Sequence, residues 1–175
     1  NTGYTFRNDL VLGEIQPVFA GFLKLYNDLL QYFKLDYYNQ KILSLKQEIN
    51  RYKDYSVRLS NQSGILKQEE AIVLKQYKRD STLYKQGVIP ESDYEVSKTK
   101  VLQKQYAYEQ SRITQASNEI QISKLEQEIL DMELKRNEET GKLTSLTLEA
   151  YNNMVASIAD WKQKYVLRSP VDGIV

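Results

Sequence analysis

The 175-residue sequence predicts an all-α fold, a long antiparallel coiled-coil helical hairpin, and three observations carry that expectation. Apolar residues recur at alternating steps of three and four through two long stretches, which is the signature of one narrow helical seam. A helix-stop signal and a helix-start signal converge at one place only, residues 85–93, near the middle of the chain. Beyond it, neither glycine nor proline interrupts the sequence between Glu91 and Gly141, or again between Lys142 and Ser169. The chain therefore rises, turns once and returns.

Residues 1–14 hold Gly3, Asn8 and Asp9 among alternating apolar residues and read as an irregular or short-strand lead-in. A first helix is expected over 15–34, where Ile15, Val18, Phe19, Phe22, Tyr26, Leu29, Leu30 and Phe33 give a wide apolar face and Pro17 suits a first turn. Leu35-Asp36 breaks the phase, and Asp36 is a candidate N-cap for a second helix over 36–87. Its seam runs through Ile42, Leu45, Ile49, Tyr52, Ser56 and Leu59, then Leu66, Val73, Tyr77 and Tyr84.

Lys85-Gln86-Gly87 has the form of a helix C-terminus with a left-handed glycine just past it. Residues 88–90 form the tip. Pro90 suits the first position of a return helix over 91–166, and Glu91, Asp93 and Glu95 favour the positive end of its dipole. The return seam shows at Ile122, Leu125, Ile129 and Met132, and later at Tyr151, Met154, Ile158, Trp161 and Tyr165. Folding the chain about Val88-Ile89 puts Leu35-Asp36 opposite residues 141–142 and Tyr165 opposite Leu12. An interruption at 140–142, beside Gly141, is therefore expected in the return arm. One arm is then two helices end to end and the other one long helix, each arm of about 70 residues reaching roughly 100 Å. The tail, 165–175, reads as a strand, a Pro-Asp-Gly turn and a second apolar strand. Such a small β element needs a partner outside this chain to cover its apolar face.

Composition narrows the function classes. The net charge of +1 comes from interspersed signs without a block of like charge, so nucleic acid is not an expected partner. The apolar runs 18–23 and 154–159 fall far short of the roughly 20 residues a membrane span requires. No signal peptide is expected ahead of the first helix. With no histidine, no cysteine and no glycine-rich phosphate loop, no catalytic residue, cofactor or metal site is expected, and Glu138-Glu139 reads as surface. Of the 14 tyrosines, Tyr52, Tyr108 and Tyr151 fall at seam positions and are read as amphipathic helix contacts, not as a sugar- or base-stacking surface.

The stretch Arg79-Asp-Ser-Thr-Leu83-Tyr-Lys-Gln-Gly87-Val-Ile-Pro90-Glu-Ser-Asp-Tyr94 resembles the hairpin tip of the membrane fusion proteins, the HlyD-type periplasmic adaptors. The closing Ser169-Pro-Val-Asp-Gly-Ile-Val175 is similar to the start of the second half of their split lipoyl-like domain, which would occupy 167–175. The broken first arm facing a long second arm resembles the secretion branch more than the drug-efflux branch. The resemblance implies a fragment, centred on the hairpin, of an adaptor that sits in the periplasm and is anchored in the inner membrane by a segment outside this chain. Its implied partners are an inner-membrane transporter of ABC type, an outer-membrane exit duct met by the hairpin tip, and further copies of itself, commonly six. The family tip motif is an arginine, a leucine four residues later and a serine seven after that. Arg79 and Leu83 match it and share a helix face, whereas the third position is Pro90. The implied partner-binding residues are Arg79, Leu83, Gly87, Val88, Ile89 and Pro90. Ser92, three before Glu95, offers an alternative capping box.

A second expectation belongs to a different class: a coiled-coil scaffold that binds partner helices and takes no part in transport. An apolar span and a first lipoyl half upstream, with β-rich sequence downstream, would discriminate for the adaptor.

Overall fold

The computed structural model describes residues 11–166. The architecture is an all-α helical hairpin. A 3-10 turn, Gly13–Ile15, leads into α1 (Gln16–Leu35), α2 (Tyr37–Lys85) and α3 (Glu91–Tyr165), and no strand occurs among the described residues. The β segment expected over 167–175 and most of the lead-in lie outside them. No described helix is long and apolar enough to cross a membrane. The described residues divide into two compact units, one holding those up to Lys41 and from Met132 onward, the other Ile42–Asp131.

In the first unit α1 runs antiparallel to the later part of α3. Phe22, 5% exposed, is its most deeply buried apolar residue, with its ring 5.7 Å from Tyr26 and 5.9 Å from Tyr151. Met154 is buried nearby in sequence, and the Thr147 hydroxyl lies 2.8 Å from the Leu143 carbonyl oxygen and 3.3 Å from that of Leu25 across the pair. The apolar face of α1 is only partly used: Leu30 and Phe33, expected to face inward, are 40% and 56% exposed. Trp161 and Tyr165 are exposed as well, and the Tyr165 hydroxyl donates to Glu14 Oε1 at 3.0 Å.

Two local expectations are corrected here. Asp36 does stand at the N-cap position of α2, its carbonyl accepting from the Gln40 amide at 3.1 Å, but not in the extended conformation of an ordinary N-cap. It adopts the left-handed conformation, φ 49° and ψ 30°, as the C-cap of α1, and its amide donates to the Tyr32 carbonyl. Aspartate enters this region more readily than most residues because its short side chain bonds locally, and Asp36 Oδ1 accepts from Asn39 Nδ2 at 2.6 Å. The interruption expected at 140–142 is absent, since α3 runs through Gly141 unbroken. A lone glycine within a helix costs only about 1 kcal/mol against alanine. Contacts just before it hold the turn: Thr140 Oγ1 donates to the Arg136 carbonyl at 2.6 Å, and the Tyr32 hydroxyl lies 2.9 Å from Thr140 Oγ1 and 3.1 Å from the same carbonyl. Tyr38 also reaches Glu139 at 2.8 Å. The α1–α2 junction thus faces residues 136–140, not 141–142.

The second unit is the hairpin proper, and its cross-helix pairs reverse in number as they must for antiparallel helices. Lys53 lies 4.0 Å from Glu126, Asn118 bonds the Tyr52 carbonyl, Lys104 pairs with Glu69 at 2.7 Å, and Tyr77 meets Tyr94. Away from the turn the seam is aliphatic: Ile42, Leu45 and Ile49 on α2, with Leu125 and Ile129 on α3, are all at most 9% exposed. Each such side chain contributes roughly 1.5–3 kcal/mol by leaving water, against the entropy of ordering two long helices.

Candidate docking site at the hairpin tip

The turn is built from backbone hydrogen bonds that the sequence dictates locally. Helix α2 ends at Lys85, the Gly87 amide donates to the Tyr84 carbonyl and the Val88 amide to the Leu83 carbonyl, both at 2.9 Å. This pair of bonds is a Schellman motif, and it requires a left-handed residue at Gly87, whose φ is +71°. A side chain there would strain the backbone although there is open space around it.

Pro90 stands one place earlier than expected. Its carbonyl accepts from Asp93 and Tyr94, which makes it the N-cap, with Glu91 as the first residue of α3. Proline there brings no side-chain acceptor, so the exposed first amides of α3 rely on solvent and on the field of Glu91 and Asp93. Ser92 consequently lies inside the helix and cannot serve as the N-cap of a capping box.

The residues singled out in the sequence come together at this end of the unit. Arg79 is exposed, and no carboxylate among the described residues forms an ion pair with it. Leu83, one turn further along α2, is 37% exposed, Val88 at the apex is 64% exposed, and Pro90 is also open to solvent. Ile89 is half-buried, and Gly87, itself exposed, shapes the turn.

Beneath that surface sits a feature the sequence reading missed. Tyr84 and Tyr94 stack with centroids 4.9 Å apart, and Tyr77 lies against Tyr94 at 5.7 Å with their hydroxyls 3.0 Å apart. The bond to Tyr94, together with partial burial, raises the Tyr77 phenol above its usual pKa. Buried Ser97 adds a bond from its hydroxyl to the Tyr94 carbonyl at 3.1 Å. The only signal in the sequence was the position of three tyrosines on either side of a turn.

A concave surface occurs in the other unit, at the α1–α2 junction, where Tyr32, Phe33, Tyr37 and Tyr38 gather around Asp36 and Arg136. Its polar groups largely satisfy one another: Arg136 Nη1 donates to Asn39 Oδ1 at 2.7 Å, and Asn39 in turn to Asp36. Tyr38 is held above its usual pKa by its bond to Glu139. This network fastens a junction. No cluster of three or more potential metal ligands is present among the described residues.

No family model, curated protein or solved structure matches this chain.

Proposed function

We propose that the chain is the hairpin portion of an HlyD-type membrane fusion protein, a periplasmic adaptor whose tip docks to an outer-membrane exit duct. An inner-membrane transporter of ABC type is engaged through parts outside this chain, and copies of the adaptor assemble side by side. The observation that carries the reading is the tip surface: an exposed Arg79, without an ion-pair partner among the described residues, and a partly exposed Leu83, one helical turn apart, displayed beside a turn closed by Gly87. An exposed arginine next to apolar surface is a common anchor for a protein partner. Pro90 replaces the family serine, so docking here relies on Arg79, Leu83 and the apolar apex at Val88, without a hydroxyl at the N-cap.

The test begins with the encoded sequence on both sides of the chain. An apolar span and a lipoyl half upstream, with β-rich sequence downstream, support the adaptor, and uninterrupted heptads on both sides sink it. In the source cell, Arg79→Asp and Leu83→Asp at normal protein levels should then abolish export.

A scaffold for partner helices remains a second reading because of one observation in the second unit. Tyr106, Ile113 and Ile120 recur every seven residues along α3 with 72%, 60% and 57% exposure, forming a stripe away from the intramolecular seam. Sedimentation of the isolated chain separates the two readings. A tight, obligate dimer supports the scaffold, whereas a monomer or weak self-association supports the adaptor.

A further inference from the structure

The seam of the second unit changes character midway. On α3 the buried residues between Val101 and Leu125 are Ser111 and Asn118, both polar, and on α2 beyond Ile49 they are Leu59 and Ser63. The Tyr52–Asn118 and Glu69–Lys104 contacts bracket this stretch, so the run around Ser63 faces the neighbourhood of Ser111, and Asn118 stands at Tyr52. Leu59 apart, little apolar surface is therefore withdrawn from water there, compared with the aliphatic seam at Ile42, Leu45, Ile49, Leu125 and Ile129.

Two further facts weaken the same place. Ser111 Oγ and Asn118 Oδ1 are buried without a hydrogen-bond partner, and an unsatisfied buried acceptor opposes the docked state because separation returns it to water. Asn118 does donate from Nδ2 to the Tyr52 carbonyl, at 3.2 Å, so it marks register while leaving its own carbonyl unmet. Across from the neighbourhood of Ser111, α2 reads Ser60-Asn61-Gln62-Ser63-Gly64, a run containing four residues that disfavour a helix interior. Nothing lies within 4 Å of where a Gly64 Cβ would stand. No close contact demands a glycine there. Its effect is on backbone freedom alone.

We infer that the middle of this unit, residues 59–66 on α2 and 111–118 on α3, is a built-in flexure. It opens locally while the aliphatic seam on one side and the tyrosine cluster on the other stay docked. The inference does not depend on the adaptor reading. It gives the hairpin a compliant joint between its tip and the rest of the unit, so that tip residues can be reoriented without separating the helix ends.

Amide hydrogen exchange of the whole chain under native conditions tests it. Amides in 59–66 and 111–118 should exchange roughly tenfold or more faster than those in 42–49 and 125–129, and also faster than those around Tyr77 and Tyr94. Gly64→Ala should slow exchange across 59–66 by about fivefold, the effect of the difference in helix propensity. Ser111→Ala combined with Asn118→Leu should bring the middle toward the flanks. Should that double variant misfold, Gly64→Ala decides alone. Uniform protection along the unit, protection that falls steadily toward the turn, or unchanged local exchange in Gly64→Ala would each overturn the flexure.

Discussion

Tyr84 and Tyr94 stack across the turn of the hairpin with their ring planes 11° from parallel, joining the last turn of α2 to the first turns of α3. Tyr84 directly follows Leu83 in α2 and precedes Val88 by four residues, so the surface offered to a partner stands beside an ordered contact. Backbone hydrogen bonds alone would leave the two helix ends hinged at a five-residue connection.

Replacing Tyr94 therefore acts on both neighbours at once. Tyr94→Ala should lower the unfolding free energy by roughly 2 kcal/mol, because it removes a partly buried ring and two aromatic contacts. Tyr94→Phe keeps the stack on Tyr84 but loses the hydroxyl pairing with Tyr77, and should cost about 1 kcal/mol. Urea unfolding measures both. Equal losses in the two variants would mean that the hydroxyl, not the stack, holds the tip.

Glycines at two positions should respond in opposite directions. Gly87→Ala forces an L side chain into φ +71° and should destabilise the chain by about 1 kcal/mol. Gly141→Ala lies in an unbroken helix with open space at its Cβ position and should stabilise it by about 1 kcal/mol. Thermal melting followed by circular dichroism reads both shifts. A loss of stability in Gly141→Ala would show that the glycine has a structural role at the junction.

Alkaline pH should loosen the fold through three phenols. Hydrogen bonds from Tyr38 to Glu139, between Tyr77 and Tyr94, and from Tyr165 to Glu14 each raise the folded pKa above the usual phenol value. A raised folded pKa means the folded state holds the proton more tightly. The resulting stabilisation is fully present below the unfolded value of about 10 and is lost as pH rises through the folded values. Denaturant midpoints should fall across that window, and Tyr38→Phe should flatten the decline. A midpoint that rises above pH 10 would contradict the assigned sign.

At the tip, function and stability should separate. Arg79 has no ion-pair partner among the described residues and is exposed, so Arg79→Asp should change stability by no more than about 0.5 kcal/mol. Pro90→Ser places a hydroxyl at an N-cap that now lacks one and should be neutral or stabilising by up to about 1 kcal/mol. Chemical denaturation of the isolated chain provides the measurement. A large loss in Arg79→Asp would make Arg79 a structural residue and remove it from the docking surface.

The sequence by itself determined the helices, the single reversal and the turn. Gly87 and Pro90 mark their places because capping geometry depends on a few adjacent residues, and the seam at Ile42, Leu45, Ile49, Leu125 and Ile129 follows from helical period alone. The tertiary structure decided what depends on the facing helix. At Gly141, where the sequence predicts a break, α3 continues, and the Tyr32 hydroxyl lies beside the Arg136 carbonyl and Thr140, more than a hundred residues away in the chain. Asp36 became a left-handed C-cap because α1 and α2 meet there with one residue between them. Tyr77, Tyr84 and Tyr94 formed a cluster, and Ser111 and Asn118 were left with unmet acceptors, only once antiparallel pairing had set their neighbours. Local signals specify where a helix starts and stops. Side-chain partners across the seam depend on register, which no single helix carries within its own sequence.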